Sequence, residues 1–368
     1  MKGMHCLVAL ALTVALGAGV PAQQPSAVDQ PKAAWDALKA GRPDEAAAAF
    51  ERALRVAPQE PTLLLGAGIA AHLQGQSETA RRFLFDALKY DPKLTDASLV
   101  LGDVLYRSND INGAIAVYEQ ALAHAPEHKQ VAARLEAWRK EAALHDRFGQ
   151  KLGDHFTVLF EGPAEADLAQ RAVAILEAAY WRIGGALYTY PSNVITVVLY
   201  TREQFRDVTQ SPEWAGGLYD GRIRMPVRGA MENPREFERV LAHEFTHALV
   251  HDLATRGVPV WLSEGLAVNF EGSDLDAQAA QLKRIEIPPP LGALEGSFAR
   301  LDGNAAKYAY AQSAVAVRML LQEAGASAVV SILTDLGRGT AFADAFQRNA
   351  NMSYQEFQRR LDGRGQRP

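Results

Sequence analysis

The chain has 368 residues, 48% hydrophobic and 22% charged, with a formal net charge of −5. That length allows two domains with a sizeable core; the composition excludes a wholly disordered chain, and the charge excludes a strongly basic field built for nucleic acid. The one cysteine, Cys6, excludes a disulfide scaffold, a cysteine-ligated zinc finger and a cysteine nucleophile.

The first segment reads as an export signal. Lys2 and His5 precede an apolar run from Leu7 to Leu16, and Val20-Pro21-Ala22 then fits a small-x-small cleavage site. Residues 1–22 are therefore expected to be removed, leaving an exported chain, periplasmic or secreted, that lacks cysteine. The alternative is a retained N-terminal anchor. No later apolar run approaches the roughly 18 residues a membrane span needs, so the mature chain is expected to have no integral membrane segment.

Residues 27–148 carry an internal period of 34. Gly41, Gly75 and Asn109 are in register, as are Ala46, Ala80 and Ala114, then Phe50, Leu84 and Tyr118, then Ala53, Ala87 and Ala121, then Pro58, Pro92 and Pro126; Gly68 and Gly102 add a pair. This pattern resembles the tetratricopeptide repeat, a pair of antiparallel helices with small residues where the helices approach closely. Three copies are expected, over 27–60, 61–94 and 95–128. Asn109 replaces glycine at a turn, where it tolerates left-handed backbone nearly as well. A further helix, Lys129 to Phe148, carries Val131, Leu135, Trp138 and Leu144 at helical spacing and is expected to cap the stack. The resemblance implies a concave face that holds a peptide or protein partner. Bracing of the second domain is the competing role.

Residues 150–362 read as an α+β domain, a small sheet packed on a helical lobe. His155 to Glu161 is predicted to be a strand and Ala164 to Leu187 a helix. Asn193 to Tyr200 is nearly all apolar and predicts a central strand. Gly216 to Val227 predicts a hairpin turning at Asp220-Gly221. From Pro234 onward the pattern is helical, broken at 257–259 and 288–290.

The chemistry lies in His243-Glu244-Phe245-Thr246-His247. On a helix, residues four apart share a face, so both imidazoles reach one metal ion while Glu244 stands beside them to hold the metal's water. Asn233 as N-cap, Pro234 in the first turn and Glu236 three residues after the cap give this helix its start. A catalytic zinc site usually takes three protein ligands. No histidine follows His251, and Val250 and Leu253 stand where an extended H-E-x-x-H-x-x-G-x-x-H motif needs Gly and His. A downstream carboxylate remains, and Glu264 in Trp261-Leu262-Ser263-Glu264-Gly265 is spaced for a helix, a turn and a second antiparallel helix. Gly265 would let those two helices approach closely.

HEFTHALVH followed by VWLSEGLAVNF resembles the gluzincin metallopeptidases, the thermolysin-like clan MA, over roughly residues 193–325. The W-L-x-E-G-x-A form is closest to the membrane-alanyl-aminopeptidase branch and to small bacterial zincins that carry tetratricopeptide repeats. The resemblance implies one zinc ion on His243, His247 and Glu264, with Glu244 as general base and then acid. It also implies a Tyr or His beyond the third ligand to stabilise the oxyanion; Tyr310 is the candidate and Tyr308 the fallback. Glu232, within Gly229-Ala230-Met231-Glu232-Asn233, matches an aminopeptidase amine-binding signature, but its spacing to His243 is far shorter than that family uses. Val268 stands where thermolysin-like members place an Asp that supports a ligating histidine. His251 is a candidate for the metal's outer surroundings, and Asp274 with Asp276 a weak calcium signal.

The expected protein is an exported zinc metallopeptidase acting on a peptide or protein substrate, endopeptidase or aminopeptidase, with repeats that recruit substrate or partner. The alternative is an inactive zincin-fold scaffold that works through its repeats.

Overall fold

The computed structural model describes residues 30–211, 216–227, 233–282, 290–298 and 301–365. The predicted signal segment 1–22 and Glu232 lie outside them. Three antiparallel helix pairs open the described chain: α1 (Gln30–Lys39) with α2 (Pro43–Val56), α3 (Pro61–Leu73) with α4 (Ser77–Tyr90), and α5 (Thr95–Arg107) with α6 (Ile111–His124). The period of 34 is visible in the backbone. Gly41, Gly75 and Asn109 take φ of 71°, 74° and 66°, the left-handed turn between the helices of each pair. The paired glycines have a packing reason. A Cβ on Gly68 would stand 2.6 Å from Leu84, and one on Gly102 2.2 Å from Tyr118, so each glycine makes room for the large residue of its column. Leu84 and Tyr118 are fully buried as a result.

The capping helix α7 (Lys129–His145) is shorter than its sequence pattern. The predicted helix to Phe148 gives way to a strand, β1 (Phe148–Leu152), which the sequence reading missed. Phe148 is drawn out of the helix into a small core with Tyr200, Phe205 and Leu144, and β1 pairs antiparallel with β2 (Phe156–Glu161) from Phe148↔Glu161 to Leu152↔Thr157. Tertiary pairing here overrides the helical spacing of Leu144 and its neighbours.

From β2 the chain runs through α8 (Ala166–Leu187) to β3 (Ile195–Tyr200), then α9 (Arg202–Thr209) and the hairpin β4 (Leu218–Tyr219) and β5 (Ile223–Pro226). The sheet order is β1-β2-β3-β5-β4. β3 is central, parallel to both β2 and β5, and buried at every residue, which explains its nearly unbroken apolar sequence. β4 is an edge strand, antiparallel to β5. One sheet face packs on α8 and on α10 (Pro234–Leu253) through Phe156, Leu176, Val197, Leu241 and Phe245. The remaining helices, α11 (Val260–Phe270), α12 (Leu275–Leu282), α13 (Gly303–Ala324), α14 (Ala326–Gly337), α15 (Phe342–Ala350) and α16 (Tyr354–Gly365), form the helical lobe; Trp261, Leu266, Leu320, Ile332 and Phe357 share its apolar core. Among the described residues no single helix is long and apolar enough to cross a membrane.

The repeats are joined to the sheet by a buried ionic cluster. Arg222 and Arg224, 1% and 0% exposed, flank the start of β5 and reach Glu141 on α7 at 3.0 and 2.8 Å. Arg224 also donates to the Tyr106 hydroxyl at 2.6 Å and the Tyr200 hydroxyl at 2.8 Å, and Arg222 donates to the Tyr106 carbonyl at 2.9 Å. Burial alone would raise the Glu141 pKa, but Arg224, Tyr106 and Arg222 outweigh it and hold the carboxyl ionised. His145, beside it, is depressed to about 4, by burial first, and stays neutral.

Candidate metal centre

Helix α10 starts as its sequence demands. The Asn233 side chain accepts a hydrogen bond from the Glu236 amide at 3.2 Å, and Pro234 fills the first turn. The helix lays Phe237, Leu241, Phe245 and Leu249 into the core, which fixes its rotation about its own axis. His243 and His247 then project together from another face. Gly257 (φ 75°) turns the chain between α10 and α11, and α11 returns Glu264 to the two imidazoles.

His243, His247 and Glu264 each offer one atom, and these atoms lie within 4.8 Å of one another. The separations are closer than that limit. The two Nε2 atoms are 3.2 Å apart, and Glu264 Oε2 stands 3.3 Å from Nε2 of His243 and 3.4 Å from Nε2 of His247. Ligands about 2.0–2.1 Å from a tetrahedral zinc ion are separated by roughly 3.3–3.4 Å, so the triangle has the size of one face of such a site. Glu264 Oε2 is buried and has no hydrogen-bond partner. Three acceptors facing one another repel unless a proton or a cation lies among them. The residues therefore fit a divalent metal of zinc type.

The opposite ring nitrogens are already occupied. His243 Nδ1 lies 2.6 Å from Glu271 Oε2, and His247 Nδ1 lies 2.9 Å from Ser263 Oγ. A carboxylate only accepts, so Nδ1 of His243 carries the proton, and in the neutral ring Nε2 keeps its lone pair for the metal. Glu271 is itself held by Arg239 at 2.7 Å and by the Ser273 hydroxyl. This corrects the expectation built on Val268. That residue is buried in the core and its position is not needed; the support comes from Glu271 at the end of α11. The signal was present in the sequence, since Glu271 is seven residues, two helical turns, beyond Glu264 and so lies on the same face. Burial would lower the His243 pKa, but Glu264 and Glu271 raise it to about 10. Glu264 is held well below the usual carboxylate range by the two histidines, against the pull of burial.

Glu244 lies in the same cleft, a volume of about 460 Å³ that also reaches Tyr219 on β4 and Tyr310 on α13. It is 6% exposed, and burial raises its pKa. A Cβ on Gly217 would stand 2.8 Å from Glu244 Oε1, so this carboxylate is covered by the bare backbone leading into β4. The sequence reading did not single out Gly217. The Tyr310 ring is 6.3 Å from the His243 ring and is braced by Phe298 at 5.4 Å. Burial and the nearby carboxylates of Glu264 and Glu244 raise its pKa, so the phenol remains a hydrogen-bond donor. Tyr308, two residues away on the helix, points some 200° round from it and does not line the cleft.

Other expectations are corrected by the geometry. Gly265 does not serve the contact of α10 with α11; a Cβ there would strike the Ser313 carbonyl of α13 at 2.3 Å, so it lets α11 and α13 close together. Asp274 accepts from the amides of Asp276 and Ala277 at 2.9 and 3.0 Å, as a helix cap, and Asp276 pairs with Arg318 at 2.7 Å. That arrangement is not a calcium loop. His251 stacks edge-on against Tyr219 at 5.5 Å, at the rim of the cleft.

The comparisons with known proteins agree with this architecture. Residues 182–357 match the Peptidase MA superfamily, and residues 32–95 and 74–138 match two tetratricopeptide repeat families. Among solved structures, the chain is similar to the first tetratricopeptide domain of Spaghetti (RPAP3) bound to the HSP90 peptide SRMEEVD, at 19% identity and a TM-score of 0.30, over 32% of this chain and 95% of that one. No curated protein matches the chain. The chain thus carries a Peptidase MA superfamily domain behind a stack of tetratricopeptide repeats.

Proposed function

We propose that this protein is an exported, zinc-dependent metallopeptidase of gluzincin type, with His243, His247 and Glu264 as metal ligands. What carries the reading is the triangle of three acceptor atoms 3.2–3.4 Å apart with a buried carboxylate, Glu244, beside it. A zinc ion held there supplies Lewis acidity, polarising a carbonyl and bringing the pKa of water down to about 7.

The chain's own residues do the rest. Glu271 and Ser263 hold the two imidazoles in orientation through Nδ1. Glu244, its pKa raised by burial, takes a proton from the attacking water and returns it to the leaving amine nitrogen. The Tyr310 hydroxyl donates a hydrogen bond to the oxygen that gains charge. A substrate lies extended along the edge strand β4, with backbone hydrogen bonds that any sequence can make. The repeats brace this strand and leave their concave face for a protein partner. Glu271 favours the enzyme over an inactive scaffold, since it gives His243 the carboxylate partner that Val268 does not supply.

The test is a peptide-hydrolysis assay on two variants. Glu244→Gln retains zinc and loses turnover by about 10²–10⁴-fold; Tyr310→Phe retains zinc and loses about 10²–10³-fold in kcat. Hydrolysis undiminished in Glu244→Gln would sink the mechanism.

A further inference from the structure

A second cleft, of about 670 Å³, opens between the repeats and the peptidase domain. It shares the lining residues Tyr219, His251, Thr255 and Arg256 with the cleft of the metal centre, so the two clefts adjoin. Its other wall belongs to the repeats and presents His72 at the end of α3 and Arg107 at the end of α5. Both positions are fixed by contacts across the cleft. The Thr255 hydroxyl donates to the Leu73 carbonyl at 3.4 Å, and the backbone of Arg107 lies against Gly221 in the β4–β5 turn.

The charges in this cleft are unequally satisfied. Arg107 is exposed and makes no hydrogen bond or ion pair among the described residues. The imidazoles of His72 and His251 likewise make no hydrogen bond among the described residues. Burial first, and then the Arg107 charge, push both imidazole pKa values down, that of His251 to about 4, so each ring is neutral and offers one N–H. Of the carboxylates that line the cleft, Glu78 is paired with Arg81, and Asp252, its pKa raised by burial, accepts from the Ser192 backbone. Two arginines line the cleft, Arg107 near the Asp103 charge and Arg256 donating to the Gly41 carbonyl at 3.2 Å; these cations with two neutral imidazole donors match a carboxylate. His251 is one helical turn beyond His247, about 6 Å along the axis, and an extended peptide advances about 3.3 Å per residue.

We propose that this interdomain cleft is a carboxylate subsite of the same active site, where Arg107, with N–H groups of His72 and His251, holds an acidic side chain or the free C-terminal carboxylate of a peptide about two residues from the scissile bond. The proposal rests on the peptidase reading, and it gives the repeats a direct part in choosing substrate.

The test uses the zinc-reconstituted full chain and fluorogenic octapeptides, N-acetylated and C-terminally amidated, in which one Glu is moved through a neutral Gln-containing background. A further arm is the neutral peptide with a free C-terminus, which separates side chain from terminus. One Glu position, or the free terminus, is expected to lower KM about tenfold or more at unchanged kcat. Arg107→Gln removes that preference and Arg107→Lys restores most of it, while both cleave the neutral amidated peptide as wild type does. A preference that survives in Arg107→Gln, or no preference in wild type, overturns the subsite. Fluorescence anisotropy of the same peptides on Glu244→Gln separates the two readings. Arg107-dependent binding of the acidic peptide without wild-type turnover keeps the subsite and rejects the peptidase. Turnover with no carboxylate preference rejects the subsite alone, and neither binding nor turnover rejects it as well.

Discussion

Two buried charged clusters lie on either side of the β4–β5 hairpin, and they differ in kind. Around Glu141, donors and acceptors alternate: Arg222, Arg224 and the Tyr106 hydroxyl all donate to one carboxylate at 2.6–3.0 Å. Around Glu264, acceptors face acceptors, and the carboxylate oxygen they surround is buried without a hydrogen bond. In the first cluster the carboxylate is paired with three donors, and of the cluster's buried polar atoms only Arg222 Nε is left without a partner among the described residues. The second needs a proton or a cation among its acceptors and lines a cleft. Burial and charge alone do not tell a strut from a site; the arrangement of lone pairs and protons does.

Breaking the strut has the largest expected effect. Glu141→Ala leaves Arg222 buried without a counter-ion and Arg224 with Asp220 alone, and is expected to cost about 3–5 kcal/mol, seen as a lowered urea midpoint. Activity falls with it, because the hairpin carrying β4 loses its anchor on α7. A variant as stable as wild type would mean that the cluster is not what joins the repeats to the sheet.

Loosening the site from its second layer has a smaller effect. Glu271→Gln keeps the shape but removes the carboxylate that fixes the His243 proton, and zinc affinity is expected to fall about 10–100-fold in competition with a chromophoric chelator, with little change in unfolding. An unchanged affinity would place the orientation of His243 elsewhere.

The two clusters were also unequally legible in the sequence. His243, Glu244 and His247 could be read because a helix fixes their mutual spacing, and Glu264 because the motif after the turn is short and local. Glu271 lies only seven residues further, yet its meaning depends on the helix not ending before it, and an expectation tied to position 268 drew the reading past it. The repeats were legible column by column, since their period recurs in one dimension: glycine or asparagine at each turn, small residues opposite Leu84 and Tyr118. The Glu141 cluster was not, because its contacts span up to 118 residues and only the docking of the repeats on the sheet brings them together. Strand β1 was hidden for a related reason, as Phe148 continues the spacing of α7 but has its packing partners on β3 and α9.

The most direct test of the account is metal content. Mass spectrometry of the purified protein, wild type beside Glu264→Ala, is predicted to find close to one zinc per chain in the wild type and its loss in the variant. No zinc in the wild type after reconstitution, or the same zinc in both proteins, would contradict the site.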